Sequence, residues 1–254
     1  MNFCHICPPL KLIKAVLYTQ EWKLSTFSKD CRREKLRRGG QDLEDRDRRL
    51  RYEMVEDQLC SRGIFNESIV RAFRSVPRHE FVPREDLFTA YADRPIPIGS
   101  GQTISQPYIV AEMCRLAELN GDEKVLEIGT GSGYAAAILS LLAEEVYTVE
   151  RIRGLYNDAR NTLDRLGYEN VHCIIGDGFN GYPDAAPFDL IFMSAAPVEI
   201  PENILQQLSE RGRLIAPVGG VDQYLMRLKR REDGGFKRSV HGAVRFVPMK
   251  HGFS

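Results

Sequence analysis

The stretch VLEIGTGSGY, residues 125–134, decides the fold of this chain. A short apolar run is followed by three glycines at alternate positions, Gly129, Gly131 and Gly133, and then by the alanine-rich segment AAAILSLLAEE. A strand, a glycine turn and a helix in this order are typical of the first unit of a parallel α/β sheet. Three glycines cost more conformational entropy than a simple turn requires. We therefore expect a ligand or another backbone to come very close to this loop, where a side chain would not fit.

Apolar strands and amphipathic helices alternate along the rest of the chain. Strands are expected at 124–128, 145–150, 171–175, 188–194 and 212–219, and helices at 133–143, 152–167 and 201–209. Nearly continuous apolar strands separated by helices indicate a parallel sheet covered on both faces. The last two strands, 223–230 and 237–249, are joined by a short turn at 232–235 that leaves no room for a crossover helix. The sequence therefore predicts an α/β, Rossmann-like sheet that is mostly parallel and ends in an antiparallel hairpin.

Helical patterns also precede the sheet. Apolar residues recur at helical spacing in MVEDQLCSRGI, which ends at Gly63, and in NESIVRAFRSV, which is closed by Pro77. Residues 85–107 are rich in proline and glycine and are expected to be mainly loop. Pro107 then opens a helix that we expect to end at Asn120-Gly121.

The first 45 residues differ in composition from the rest. Residues 1–40 contain nine Lys or Arg against three acids, whereas the whole chain has 35 basic and 35 acidic residues and no net charge. The balanced total argues against a nucleic-acid or membrane partner. We interpret residues 1–45 as a flexible basic extension, with a docking arm as the alternative. Residues 46–254 are expected to form one domain, with a helical cap and substrate loop over 46–107 and a Rossmann-like core over 108–254.

The cysteines indicate a reducing compartment. Six of them are scattered along the chain without the close spacing of a disulfide scaffold, so we expect a cytoplasmic protein. Cys4 and Cys7 resemble half of a zinc site, but no second ligand pair follows them in the extension, and no metal is expected. The apolar run 10–18 is interrupted by Lys11 and Lys14 and fits neither a secretory signal nor a membrane span.

A glycine-rich turn after the first strand of such a sheet is typical of a nucleotide site. In the dinucleotide fingerprint a third glycine, which packs the helix closely, would stand where this chain has Tyr134. Glu150 ends the next strand 21 residues after Gly129, near the spacing at which an acid meets ribose hydroxyls. Asp177 lies at the same edge of the sheet and could address an adenine. The pattern favours an adenosine ligand, and a nicotinamide oxidoreductase is kept as an alternative.

Several motifs resemble the protein-L-isoaspartate O-methyltransferases, a family of class I methyltransferases that use S-adenosylmethionine. They are VLEIGTGSGY, VYTVER, GDG, APFDLIFMSAAP, GRLIAPVG and VRFVPM, with IPIGSGQTISQPY upstream. The segment MVEDQLCSRGIFNESIVRAFRSVPRHEFVP is similar to the family's N-terminal helices. The resemblance covers residues 50–250 or nearly so. Its most specific part is GQTISQP, because many methyltransferases share the glycine loop.

The resemblance also implies roles for individual residues. It implies that the methionine part of the cofactor is bordered by Glu127, Gly129, Gly131 and Gly133. It implies that Glu150 binds the ribose and that Asp177 and Gly178 lie at the adenine. It implies Ser105 as the catalytic serine, with a substrate wall formed by Thr103, Ile104 and Gln106.

The implied acceptor needs no general base. An isoaspartyl residue exposes an α-carboxyl group whose reference pKa is about 3.5, so it is already ionised at neutral pH. Accordingly, His79, His172 and His241 are interpreted as structural or surface residues, His172 within a core strand. Ser105 would orient the carboxylate through a hydrogen bond, and it is also suited to cap the helix that Pro107 opens.

The implied function is methyl transfer to L-isoaspartyl carboxylates, and also to D-aspartyl ones, in damaged proteins, where the ester collapses to a succinimide. Such proteins are the expected partners of a monomeric enzyme. Two alternatives stay open: another Rossmann-like O-methyltransferase with a small-molecule substrate, and a non-catalytic cofactor-binding module. N-methylation is disfavoured because strand 188–194 is followed by Ala-Ala-Pro and lacks an acid-Pro-Pro-aromatic motif. Cytosine methylation is disfavoured because the chain has no Pro-Cys pair.

Overall fold

The computed structural model of the chain describes residues 43–253. The chain divides into two compact units, Met1–Arg46 and Asp47–Ser254, and the second contains the sheet. The predictions of a flexible basic extension and of thiols at Cys4 and Cys7 lie outside the described residues, apart from 43–45, which are helical.

Helices and strands alternate as expected over most of the second unit. The helices are α1 (43–54), α2 (Glu67–Ser75), α3 (Pro107–Ala117), α4 (Tyr134–Ser140), α5 (Arg153–Leu166) and α6 (Glu202–Leu205). The strands are β1 (Ile96–Gly99), β2 (Gln102–Ile104), β3 (Lys124–Ile128), β4 (Glu145–Glu150), β5 (Val171–Ile175), β6 (Phe188–Met193), β7 (Leu208–Gly219), β8 (Gln223–Arg230) and β9 (Phe236–Val244). A π-helical turn, Val55–Leu59, and short 3-10 turns extend the cap after α1.

The central sheet has seven strands in the order β5-β4-β3-β6-β7-β8-β9. The strands from β5 to β7 pair in parallel, whereas β8 is antiparallel to both β7 and β9. The predicted fold class is confirmed, including the C-terminal hairpin. The chain winds outward from β3 in both directions, so the carboxyl ends of β3, β4 and β6 border a crevice at the switch point.

Both faces of the sheet are covered. Val125 of β3 belongs to an apolar cluster that includes residues of the cap, α3 and α4. Its neighbours Leu126 and Ile128 belong to a second cluster, with Ile204 of α6 and residues of β6 and β7. A strand whose consecutive residues are buried on opposite faces reads as a continuous apolar run, which is why β3 is evident in the sequence.

The cap packs against the start of α4. The side chain of Arg78 is fully buried, with its guanidinium 4.7 Å from the centre of the Tyr134 ring and its Nε donating to the Ala90 carbonyl at 2.8 Å. Burial lowers the pKa of Arg78, and the nearby Tyr134 acts in the opposite direction. Phe73 and Phe81 meet the same ring edge-on at 6.2 and 5.7 Å. The residue directly after the glycine loop is therefore held by the cap.

The segment predicted to be loop before α3 contains a short antiparallel hairpin, β1 and β2. The prediction was wrong over these strands because prolines and glycines normally limit regular structure. In this hairpin the turn uses them, with Gly99, Ser100 and Gly101 all at positive φ. The hairpin brings Gln102–Ile104, the beginning of the GQTISQP motif, to the crevice.

Helix α3 ends at Ala117, three residues before the predicted end. Glu118 takes a left-handed conformation (φ 53, ψ 48), and its carboxylate pairs with Arg227 of β8. Arg213 of β7 donates to the Glu118 carbonyl at 2.9 Å and to that of Ala117. Contacts from distant strands thus fix the end of the helix, and local sequence does not reveal them.

The helix predicted at 201–209 is a single turn, Glu202–Leu205. Leu208 already pairs with Phe188 as the first residue of β7, and the Phe188 N–H donates to the Gln207 carbonyl at 2.8 Å. Strand pairing with β6 therefore overrides the local helical pattern. Two other predicted elements are also shorter in the structure: α4 ends at Ser140 and β9 at Val244.

Candidate active site

A cavity of about 820 Å³ lies at the carboxyl ends of β3, β4 and β6. The predicted site residues in its wall are Thr103, Ile104, Ser105, Glu127, Gly129, Gly131, Glu150 and Gly178. The structure thus brings together residues from the GQTISQP motif, the glycine loop and the ends of two further strands. A concave site with a few polar groups at the carboxyl ends of parallel strands is typical of a site for a small organic ligand.

The three glycines of the loop share a backbone conformation but differ in their surroundings. All three have positive φ, namely 97° for Gly129, 55° for Gly131 and 88° for Gly133, which other residues adopt only with strain. Gly129 and Gly131 line the cavity, whereas Gly133 lies outside its wall. A Cβ at Gly133 would be 3.2 Å from the Leu163 side chain of α5. Gly133 therefore allows the loop to pack closely against α5.

Glu150 ties the end of β4 to the glycine loop. Its Oε2 accepts a hydrogen bond of 2.9 Å from the Gly131 N–H, and its Oε1 accepts from the N–H groups of Arg151 and Ile152, both at 2.9 Å. The residue is 5% exposed and faces the cavity. Since a carboxylate offers about four acceptor positions, one remains for a ligand hydroxyl.

Glu127 is a fully buried carboxyl group in the floor of the cavity. Thr148 donates to its Oε2 at 2.6 Å and Ser194 donates to its Oε1 at 3.1 Å. Burial raises the pKa of Glu127 to about 8, the two hydroxyl groups oppose this, and the charge of Glu150 adds to it. A positively charged ligand group beside Glu127 would lower this pKa and favour the ionised carboxylate.

Asp177 is at the predicted edge of the sheet, but its carboxylate is outside the cavity wall. It accepts hydrogen bonds from the N–H groups of Phe179 at 2.9 Å and Gly252 at 2.8 Å. Burial alone would raise the pKa of Asp177, but these bonds and the nearby His251 outweigh it and hold the pKa below its usual value. The adjacent Gly178 does line the cavity, and a Cβ there would be 2.6 Å from Ile128.

A segment after β9 closes the cavity on the side of Gly178. Residues 247–250 line the wall. The Met249 N–H donates to the Ala196 carbonyl at 2.8 Å, and Arg151 donates to the Gly252 carbonyl at 2.9 Å. The His251 ring stacks on Phe179 with centroids 3.7 Å apart. The sequence analysis assigned residues 245–249 to the last strand and gave them no place in the site, whereas in the structure they follow β9 as an irregular segment.

A second cavity adjoins the first at Thr103, Ser105 and Ser194. It contains about 980 Å³ and is lined further by Gln106, Ile109 and residues 243–247. The two cavities form a continuous site with these hydroxyl residues at the junction. Of the residues predicted to form the substrate wall, Thr103 lines both cavities, Ile104 lines only the first and Gln106 lines only the second.

Ser105 does not cap α3. The N-cap is Gln106, without a side-chain cap bond, so the capping prediction for Ser105 was wrong. Within residues 43–253, no other residue forms a hydrogen bond with the Ser105 hydroxyl. This half-buried hydroxyl at the junction is therefore free to bind a ligand.

Sequence reasoning missed two polar side chains of the site, Thr148 and Ser194. Thr148 is fully buried and lies in the apolar strand β4, so its unusual polarity was the available signal. Ser194 directly follows β6, the neighbour of β3, at the point where the chain departs from the motif of N-methyltransferases. Its place at a strand end beside the glycine loop was the signal for a site residue.

The predicted structural histidines lie outside both cavity walls. His79 contacts the Tyr91 hydroxyl at 2.6 Å, and His241 contacts Ser239 at 2.8 Å. His172 is exposed on the edge strand β5, 2.8 Å from Glu145, so its expected place in a core strand was wrong.

Metal-binding clusters and membrane-spanning helices are both absent from residues 43–253. No group of three or more His, Cys, Asp or Glu in this part of the chain is arranged to hold a metal ion. None of the helices described combines the length and apolar character needed to cross a membrane.

A family model and several curated relatives of this chain name the same family. Residues 50–253 match the family model described as protein-L-isoaspartate(D-aspartate) O-methyltransferase. A protein-L-isoaspartate O-methyltransferase of Geobacter metallireducens is 51% identical over 200 residues, which cover 78% of this chain and 93% of the relative. One of Opitutus terrae is 50% identical over 200 residues, covering 78% and 86%. A solved structure of the same name aligns with a TM-score of 0.72 at 29% identity, covering 82% of this chain and 67% of the other. The chain belongs to the protein-L-isoaspartate (D-aspartate) O-methyltransferase family.

Proposed function

We propose that the chain transfers a methyl group from S-adenosylmethionine to the free α-carboxylate of L-isoaspartyl residues, and of D-aspartyl residues, in damaged proteins. The ester collapses to a succinimide, which partly reopens as normal aspartate. The observation that carries this proposal is the junction of two cavities at Ser105, with a nucleotide-type cavity on one side and a second cavity on the other. Membership of the family supports the same reaction.

The donor set of the first cavity fits S-adenosylmethionine. Glu127 would face the charged methionine part, and Glu150 has an acceptor position left for a ribose hydroxyl. Gly178 lines the same cavity and would lie against the adenine. Asp177 would act from outside the wall by holding Gly252, and Gly133 would act by placing the loop against α5.

The residues at the junction supply positioning. When bound, S-adenosylmethionine supplies an electrophilic methyl group, and the ionised carboxylate needs no base to accept it. Ser105 would donate a hydrogen bond to the carboxylate, while Thr103, Ile104 and Gln106 limit its movement. Alignment of reactants can contribute about 7–11 kcal/mol to barrier reduction, so a site without a general base is sufficient.

The second cavity favours a polypeptide over a small molecule as acceptor. Its wall runs from Ser105 past Ile109 to residues 243–247 and is open to solvent, as the binding of a flanking peptide requires. This feature separates the proposed function from O-methylation of a small metabolite, and the free Ser105 hydroxyl separates it from a non-catalytic module.

Other properties follow the same proposal. The complete junction lies within one chain, which supports a monomer, and residues 46–254 would act as one domain. Within the part of the chain that the structure describes, Cys60, Cys114 and Cys173 are free thiols, in keeping with a reducing, cytoplasmic environment. The balanced charge supports a protein substrate without a nucleic-acid or membrane partner.

Transfer of radiolabelled methyl groups to matched peptides tests the proposal. Three peptides of one sequence carry L-isoaspartate, D-aspartate or L-aspartate at the same position. We expect base-labile label on the first, weaker label on the second and none on the third. Equal labelling of the L-isoaspartyl and L-aspartyl peptides, or no labelling of either, would refute the assignment.

A further inference from the structure

Four side chains, three of them buried and one half-buried, form a continuous hydrogen-bond network beneath the glycine loop. Thr130 of the loop and Thr148 of β4 have their Oγ1 atoms 2.6 Å apart, Thr148 contacts Glu127 of β3 at 2.6 Å, and Ser194 after β6 contacts the other Glu127 oxygen at 3.1 Å. When Glu127 is ionised, both Thr148 and Ser194 donate to it. When Glu127 carries a proton on Oε2, the direction of the bond to Thr148 reverses, and Thr148 then donates to Thr130. These hydrogen bonds can therefore form with Glu127 either ionised or protonated.

The surroundings of Glu127 favour its neutral form in the absence of a cation. The side chain is fully buried. The charged residues that share its cavity wall are Glu150, Arg151 and Lys250, and Glu150 is the one whose charge raises the pKa of Glu127. The other titratable groups facing it are the thiols of Cys114 on α3 and Cys173 on β5, and burial raises the pKa of both. These thiols are neutral at pH 7 and supply no positive charge. An isolated buried carboxylate is costly, so the group retains its proton until a cation arrives.

We propose that Glu127 distinguishes the cationic methyl donor from its neutral thioether product by releasing its proton to solvent when the donor binds. The inference rests on the proposed function in requiring S-adenosylmethionine in this cavity. The donor has one positive charge more than S-adenosylhomocysteine, at the sulfur. An ionised Glu127 gains from that charge, and once the methyl group has left, the carboxyl group takes a proton back and holds the product less tightly.

Ser194 is the positioning residue in this scheme. Its N–H donates to the Ile128 carbonyl at 2.8 Å, and its Cβ lies 3.5 Å from where a Cβ of Gly129 would be, so its backbone is fixed against the glycine loop. From there its hydroxyl reaches Glu127 while its side chain borders both cavities. Ser194 thus favours the ionised state of Glu127 at the point where donor and acceptor meet.

Calorimetry without peptide tests the inference directly. Binding of S-adenosylmethionine and of S-adenosylhomocysteine is measured at pH 6 to 9 in buffers of different ionisation enthalpy. We expect release of about one proton per donor bound near pH 7, a smaller release with the product, and donor affinity that rises with pH. Glu127→Gln should abolish the release and narrow the affinity difference between the two ligands. Absence of proton release from the unaltered protein, or an unchanged release in Glu127→Gln, would overturn the inference.

A pair of variants at Ser194 separates positioning from packing. Ser194→Ala should weaken donor binding at pH 7 by roughly tenfold and move its pH profile to higher pH, because one bond to the ionised carboxylate is lost. Ser194→Thr should restore the profile, and Ser75→Ala, on the exposed side of α2, should leave it unchanged. A Ser194→Ala profile identical to that of the unaltered protein would contradict the scheme. These titrations need no methyl acceptor, so proton release without isoaspartyl methylation would refute only the proposed function.

Discussion

The Oε2 atom of Glu150 lies 2.9 Å from the backbone nitrogen of Gly131 and accepts its hydrogen bond. The end of β4 and the glycine loop are therefore one unit, and the carboxylate that would meet the ribose also sets the path of the loop. Removal of this carboxylate would therefore affect binding in two ways. The ligand would lose a hydrogen-bond acceptor, and the backbone N–H groups of the loop would be left without a partner.

Glu150→Gln should weaken binding of S-adenosylmethionine by roughly 10- to 100-fold, because an amide nitrogen replaces one of the two acceptors. Calorimetric titration measures the change. Glu145→Gln, at the half-buried start of the same strand and outside the cavity wall, is the matched control and should bind normally. Equal affinities of the two variants would show that Glu150 does not contact the ligand.

Gly178→Ala should impair donor binding while leaving the fold intact. Its Cβ would be 2.6 Å from Ile128 Cγ2 and 3.3 Å from Met249 Cε, and both residues line the cavity, so the wall must change shape to accommodate it. We expect a loss of affinity of at least about tenfold by titration, in line with the cost of an overpacked site. Gly154→Ala on α5, where a Cβ meets nothing within 4 Å, should bind normally and be slightly more stable.

The sequence was sufficient to predict the elements whose local pattern agrees with their tertiary environment. The strands β3, β4 and β5 were predicted with their observed bounds, because each is an apolar run followed by a turn or a helix start. The glycine loop and Glu150 could be placed at one edge of the sheet by the same logic, since parallel strands end together.

The remainder depends on contacts between distant residues. The end of α3 is set by Arg213 and Arg227 from β7 and β8, and the shortness of α6 by pairing of Leu208 with Phe188. Ser194 comes within hydrogen-bond distance of Glu127 only because β6 pairs with β3. A single sequence contains these residues without indicating that they meet.

Ser105→Ala should lower kcat/KM for the isoaspartyl peptide by roughly 10- to 150-fold, the value of a hydrogen bond to a charged group. Because the Ser105 hydroxyl has no partner among the described residues, its loss should not change the free energy of unfolding measurably. Ser75→Ala is the control for hydroxyl removal elsewhere. Unchanged turnover and peptide affinity in Ser105→Ala would contradict its assigned role.

Arg151→Met should accelerate release of S-adenosylmethionine. The variant loses the bond of 2.9 Å to the Gly252 carbonyl and keeps the aliphatic stem, so the segment after β9 is held less firmly over the cavity. We expect a dissociation rate about tenfold higher, measured by stopped flow, since the lost bond involves a charged donor. Arg153→Met, an exposed residue at the start of α5, should leave the rate unchanged. An equal dissociation rate in both variants would mean that this segment does not retain the ligand.

The hydrogen bond between the Asp177 carboxylate and the Gly252 N–H should make the rate of ligand release depend on pH, because it also holds the segment after β9 over the cavity. The pKa of Asp177 lies below its usual value, so its ionised form favours the closed segment at neutral pH, and this contribution is lost as pH falls through that lowered pKa. Asp177→Ala should therefore show fast ligand release already at neutral pH and little further acceleration on acidification. A variant that still releases the ligand slowly at pH 7 would contradict the role of this carboxylate.

Arg213→Met should destabilise the fold strongly without altering the site. Arg213 Nη2 lies 2.6 Å from Glu123 Oε1, and both side chains are about nine-tenths buried. Removal of one partner leaves a buried charge alone, which costs about 3–5 kcal/mol in the free energy of unfolding, measurable by urea denaturation. The double variant Arg213→Met with Glu123→Leu should recover part of this loss, because the stranded charge is gone while the carbonyls of Ala117 and Glu118 still lack their donor. No recovery in the double variant would place the cost in unpaired backbone groups instead of the ion pair, since Glu123→Leu also leaves the N–H groups of Asn120 and Gly121 without their acceptor.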